Sequence, residues 1–86
     1  MKALFHKKFA KQMGKFSQNI QKAFQKRLEL FLNDPTNQLL NNHGLTGRWS
    51  GYKSINISGD LRAVFEMVDN ETAYFIAFGT HSQLYG

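Results

Sequence analysis

Eighty-six residues suffice for one compact domain and are too few for two, and a chain of this length buries only about 60–65% of its unfolded surface. A hydrophobic fraction of 42%, with eight Phe, three Tyr and one Trp, supplies a single core, no apolar run reaches the length of a membrane span, and the lack of cysteine excludes disulfides, a thiolate nucleophile and a sulfur-built zinc site. The formal charge of +5 is unevenly placed: Lys2 to Arg27 holds eight basic residues and no acidic one, while Arg48, Lys53 and Arg62 face Glu29, Asp34, Asp60, Glu66, Asp69 and Glu71 in the remainder.

In chain order, Ala3-Leu4-Phe5 reads as a short first strand. A basic stretch follows in which Phe9, Met13 and Phe16 recur at helical spacing, weakened by Gly14. Ser17 is a candidate N-cap for a second helix, with Ile20, Phe24, Leu28 and Phe31 as its apolar stripe and Asn33-Asp34-Pro35 as its stop. Residues 36–51 have loop composition and include His43 and Trp49. The period then changes from about 3.6 to 2. Tyr52 to Ser58 alternates, with Ile55 and Ile57 on one side and Ser54 and Asn56 on the other; Leu61 to Val68 and Thr72 to Gly79 are further strands, separated by the turns Ser58-Gly59-Asp60 and Asp69-Asn70-Glu71.

The order β-α-α-β-β-β predicts an α+β fold, one domain spanning residues 1–86, with two N-terminal helices packed on one face of a four-stranded, mainly antiparallel sheet. The opposite face is left for a ligand. In the second strand of the meander Leu61, Ala63, Phe65 and Met67 form the core set, so Arg62, Val64 and Glu66 look away from the helices. The acid-free start also suits a transit peptide or membrane-surface helix, but removing it would leave about 60 residues, near the lower limit for independent folding. A secretory signal is not expected, because Ala3 to Phe5 is too short for its apolar region.

A polycationic third favours approach to a phosphate backbone, with a solvated helix face as the plain alternative. His6, His43 and His81 lack the spacing of a zinc-binding helix, and no acidic cluster suggests magnesium or calcium. No metal or cofactor is expected, so any chemistry falls to side chains.

Asn42-His43-Gly44-Leu45-Thr46-Gly47, Gly51-Tyr52-Lys53-Ser54-Ile55, Gly59-Asp60-Leu61-Arg62 and the terminal Gly79-Thr80-His81-Ser82-Gln83-Leu84-Tyr85-Gly86 together resemble the YafQ branch of the RelE superfamily of toxin-antitoxin toxins. The likeness spans essentially the whole chain, and the terminal motif is its most specific part. It implies a cytoplasmic, ribosome-dependent endoribonuclease that cleaves mRNA in the ribosomal A site, the ribose 2′-OH attacking the adjacent phosphate without a metal. It also implies a cognate antitoxin, and basic helices that dock on ribosomal RNA. By the same resemblance His81 is the catalytic acid, or acid and base; His43 is a second functional histidine; Asp60 is a functional carboxylate that orients a histidine or accepts a proton; Arg62 holds the scissile phosphate; and Tyr85 is the terminal aromatic, able to stack on a base. Lys53 and Arg48 are candidates for substrate phosphate contact. Asn56 stands where YafQ relatives have another histidine, and Leu61 where they have tryptophan.

Each residue has a plainer reading. His81 and His43 can be structural histidines, the latter packed beside Leu45; Asp60 can be turn chemistry after glycine; Arg62 can pair with Glu66 on its own strand face; Tyr85 can pack on the sheet; and Lys53 and Arg48 can be solvated surface. The leading alternative function is a non-enzymatic ParE-type toxin that binds DNA gyrase on the same scaffold, discriminated by the His81 and Arg62 pair. A general RNA-binding or membrane-surface module is a third reading, and it leaves the terminal motif unexplained. The nuclease reading requires the His81 imidazole and the Arg62 guanidinium to share a hollow away from the helices.

Overall fold

The computed structural model describes residues 1–85; Gly86, the last residue of the terminal motif, lies outside the described residues. Strand β1 (Lys2–Phe5) leads into helix α1 (Lys7–Met13), capped by His6, whose Nδ1 accepts from the Lys8 N–H at 3.0 Å. Helix α1 stops at Gly14, so Phe16 falls outside it, yet Phe16 still packs edge-on against Phe78 at 5.1 Å between ring centroids. Ser17 caps α2 (Gln18–Asn33) as its sequence position predicts, its Oγ accepting from the Ile20 N–H at 3.3 Å.

Strands β3 (Lys53–Ser58), β4 (Leu61–Asp69) and β5 (Thr72–Thr80) form the antiparallel meander, and β1 joins β5 in parallel, from Lys2 beside Thr72 to Phe5 beside Phe75. A further strand, β2 (His43–Gly44), pairs with the outer edge of β3 and gives the order β1-β5-β4-β3-β2. The expected four strands are therefore five. Two residues are too few to display a period, so β2 is defined by its pairing rather than by its sequence. No helix among the described residues is long and apolar enough to cross a membrane.

The core lies between the helices and one face of the sheet, where Phe9, Phe24 and Phe31 meet Ile55, Ile57, Leu61, Ala63, Phe65, Ala73, Phe75 and Phe78. Phe75 is its centre: the rings of Phe5, Phe9, Phe24, Phe31 and Phe65 surround it at 5.2–5.9 Å between centroids. Met67 departs from the expected core set. It reaches the end of α2 beside Phe31 and Leu32, beyond the covering helix, and stays 37% exposed.

On the other face the sheet is partly covered. Val64 pairs with Ala77 and Phe65 with Phe75, which makes Ile76 an extra residue in β5. That bulge lets Phe75 and Phe78, three apart, both face the helices, and it turns Ile76 and Ala77 outward. There Val64, Ala77 and Leu84 form a second small cluster with Leu45, Trp49, Tyr52 and Tyr85. The face left for a ligand is therefore divided: the part near Arg62 is open and the part near Val64 is covered.

Leu84 belongs to a short helix, α3 (His81–Tyr85), which the strand reading did not foresee. Its start is a reciprocal cap, the Gln83 N–H donating to Thr80 Oγ1 at 3.2 Å and the Thr80 N–H donating to Gln83 Oε1 at 2.8 Å. Its other end is held by Arg48 Nη2 and Trp49 Nε1, which donate to the Leu84 carbonyl at 2.8 and 2.9 Å. Gly79 allows this seating, since a Cβ there would lie 2.8 Å from Gln83 Oε1.

Candidate active site

The open part of the outer face is a hollow of about 400 Å³ lined by His43, Ser54, Arg62, His81 and Tyr85, with Asn41, Leu45 and Thr46 at its side. Its polar side chains come from neighbouring strands in sequence across the sheet: His43 from β2, Ser54 from β3, Arg62 from β4, and His81 from the residue after β5. His81 and Arg62 thus share one hollow on the side away from α1 and α2.

His43 is exposed and oriented by its Nδ1, 2.7 Å from the Asn41 carbonyl. A carbonyl only accepts, so Nδ1 carries the proton, and in the neutral ring Nε2 keeps its lone pair free. Asn41 has left-handed backbone, φ 45°, a conformation that asparagine tolerates and that ends the 3₁₀ turn Gln38–Leu40. The tautomer of His43 is therefore set by a backbone turn two residues away.

Arg62 does not pair with Glu66. Its Nη1 donates to the carbonyls of Gly59 and Leu61 at 2.9 and 3.1 Å, in the turn where Gly59 supplies a φ of 52°. Among the described residues its Nε and Nη2 have no protein acceptor, which leaves the edge of the guanidinium that presents two parallel N–H groups to an anion.

His81 is exposed at the first position of α3, its backbone N–H donating to the Asp60 carbonyl at 3.1 Å. Its ring meets Tyr85 one turn later, T-shaped, at 4.7 Å between centroids. The imidazole is thus placed by a helix fixed at both ends and by an aromatic neighbour.

The remaining candidates are distributed differently. Asp60 is exposed in the β3–β4 turn, attached to the site through its backbone rather than through its carboxylate. Arg48 is committed to the Leu84 carbonyl, and its guanidinium carbon lies 6.0 Å from the centre of the Trp49 ring, so it holds α3 instead of lining the hollow. Lys53 stands opposite Phe65, on the helix side of the sheet, and borders a separate, largely apolar hollow of about 440 Å³ at the end of α2. Lys53, a candidate for substrate phosphate contact, thus lies outside the hollow that holds His81. Ser54, present in one of the quoted motifs but given no role there, is the residue that sequence reasoning missed; its position opposite His43 in the β2–β3 pairing places it at the site.

Among the described residues no three His, Asp or Glu side chains gather as a metal site would require. At the far end of the sheet the Asp69 carboxyl is held below its usual range, above all by the hydrogen bond from the Glu71 N–H.

Solved structures share this fold at low identity. The crystal structure of YafQ from E. coli strain BL21(DE3) matches with a TM-score of 0.82 at 18% identity, covering 98% of this chain and 97% of that one. A chain of the RelB-RelE antitoxin-toxin complex from Methanococcus jannaschii matches at 0.72 and 24% identity, over 95% and 94%. The YoeB/ParE toxin from Agrobacterium tumefaciens matches at 0.76 and 16% identity, over 94% and 99%. E. coli YafQ has also been solved with DinJ as a toxin-antitoxin complex, and that structure matches with a TM-score of 0.78. No curated protein sequence matches significantly. The family model described as the bacterial toxin of type II toxin-antitoxin systems, YafQ, matches residues 1–86, and the chain therefore belongs to the YafQ family of toxins.

Proposed function

We propose that residues 1–86 form a single toxin domain acting in the cytosol as a ribosome-dependent endoribonuclease, cutting mRNA in the A site by metal-independent transesterification. The observation that carries this reading is the convergence of His43, Arg62 and His81 on one polar hollow. The lone pair on His43 Nε2 takes the proton of the ribose 2′-OH, and O2′ attacks the adjacent phosphorus. The free edge of Arg62 holds the non-bridging oxygens as charge gathers on the phosphorane. His81 gives its proton to O5′ as the P–O5′ bond breaks, leaving a 2′,3′-cyclic phosphate and a 5′-OH. The Asp60 backbone carbonyl, which accepts from the His81 N–H, helps position the imidazole, and Tyr85 offers a face on which a base stacks.

The exposed lysines of α1 and α2 lie on the opposite side of the molecule and suit it for contact with ribosomal RNA. The complexes of DinJ with YafQ and of RelB with RelE support a cognate antitoxin as the partner that restrains this chain. The test is His81→Ala, examined by primer-extension mapping of transcripts after brief expression. Cleavage phased to the A site is expected in the parent and reduced about 10²–10⁴-fold in the variant, with the unfolding curve unchanged. Intact transcripts with inhibited gyrase in the parent would replace this reading by the ParE-type one.

A further inference from the structure

Three side-chain polar atoms are buried without a hydrogen-bond partner among the described residues: Ser54 Oγ, Asn56 Oδ1 and Tyr85 Oη. Two of them belong to residues that line the hollow. Native proteins keep few such groups, because a buried hydroxyl without a partner has lost its water and gained nothing in return. Serine is also an unusual choice for its place in the sheet. It is fully buried on a central strand, with Val64 opposite on β4, where alanine or valine would fill the space with no orphaned oxygen.

The hydroxyl stands between two groups of the proposed reaction. Ser54 is directly opposite His43 across the β2–β3 pair, and Asn56, the next residue of β3 on the same face, is opposite Arg62. A group seated over Ser54 therefore has the imidazole on one side and the guanidinium on the other. Both orphaned hydroxyls are able to donate, and the free edge of Arg62 also donates. Three donor groups on residues that line one hollow call for an acceptor with several lone pairs and a negative charge. A phosphate oxygen meets that description; a neutral base edge would leave the guanidinium uncompensated.

We propose that Ser54 Oγ, assisted by Tyr85 Oη, donates a hydrogen bond to a non-bridging oxygen of the scissile phosphate, as a further substrate-binding group on the floor of the site. This rests on the nuclease reading for the identity of the phosphate. Ser54 keeps its proton throughout and forms no covalent bond. Because charge on the non-bridging oxygens increases in the phosphorane, the hydrogen bond strengthens as the reaction proceeds, and its loss falls on the rate more than on ground-state binding.

The experiment compares the parent with Ser54→Ala and Tyr85→Phe, each lacking one oxygen. Three quantities are measured: single-turnover cleavage on programmed ribosomes, thermal unfolding, and binding of a trinucleotide carrying a 2′-deoxyribose at the cleavage position, titrated by NMR on the isolated protein. Cleavage is expected to fall at least about tenfold in Ser54→Ala and less in Tyr85→Phe, the trinucleotide to bind more weakly to both, and the midpoint of unfolding to stay level or rise. A rise in stability beside a fall in activity is the result that a packing role for the serine would not give. Parent-like trinucleotide binding by Ser54→Ala, or no binding by the parent at millimolar concentration, overturns the subsite. Weaker binding by the variants together with an inactive parent upholds the subsite and removes the nuclease reading.

Discussion

The helix-covered face of the sheet and its outer face are built from alternate residues of the same strands, and they differ in how completely they are finished. On the covered side Phe75 touches five other rings, and the buried set there is wholly apolar. On the outer side Ser54, Asn56 and Tyr85 hold buried oxygens with no partner among the described residues, and Arg62 keeps half of its guanidinium unused. Burial of the aromatic cluster supplies most of the apolar stabilisation, which permits the other face to retain groups that lower it. In a chain of 86 residues that margin is small, so the division between faces ought to be visible in mutants.

The largest effect that separates the faces is expected at Phe75. Truncation to alanine removes a ring from the centre of the core and costs about 3–5 kcal/mol, a large share of the roughly 5–15 kcal/mol typical of a domain. Urea unfolding is the measurement, and Phe75→Ala should be extensively unfolded at 37 °C. A stability loss of that size from Ser54→Ala instead would break the comparison, because it would make the outer face the structural one.

A smaller effect is expected where the two faces are mechanically joined, at the cap of α3. Thr80→Val keeps the shape of the side chain and deletes the hydroxyl that accepts from the Gln83 N–H, for a cost of about 1 kcal/mol. Because His81 is the first residue of that helix, a looser cap should lower the cleavage rate several-fold while the substrate concentration for half-maximal rate changes little. Unchanged cleavage at the lowered stability would show that α3 does not position the imidazole.

The order of helices and strands was legible because two periods dominate the chain: the stripe Ile20, Phe24, Leu28, Phe31 marks α2, and the alternation from Lys53 onward marks the meander. The pieces that resisted are those that tertiary contacts create. Strand β2 has two residues, the bulge at Ile76 appears only through its pairing, and α3 needs Arg48 and Trp49 from 36 and 35 residues away. One signal was present and unused: Thr80-His81-Ser82-Gln83 has the spacing of a capping box. The site divides in the same way. His43, Arg62, His81 and Tyr85, marked by the family resemblance, line one hollow, whereas Lys53 does not, and strand parity already separates it from them by placing it with Ile55 and Ile57. Arg48 shows the converse, since a basic residue in a loop reads as a phosphate contact until the carbonyl it serves comes into view.

The smallest expected effect lies on neither face. Asp69 closes the β4–β5 turn, its Oδ1 accepting from the Glu71 N–H at 2.8 Å; that bond, then one from the Thr72 side chain and the charge of Lys2, hold its carboxyl below the ordinary range. A carboxyl whose folded value is depressed stabilises the fold fully above its unfolded value, about 4, and the stabilisation disappears as pH falls through the lower folded value. Asp69→Ala should therefore melt slightly below the parent at pH 7, by the same interval at pH 5.5, and by a narrowing interval below about pH 4. Thermal scans of the two proteins across that range are the check, and a gap that widened in acid would have the wrong sign for a depressed carboxyl. Cleavage by Asp69→Ala should equal that of the parent, because the turn sits at the far end of β4 from Arg62. The variant thus gauges how much stability the chain loses without cost to function, against which the effects at Thr80 and Ser54 are measured.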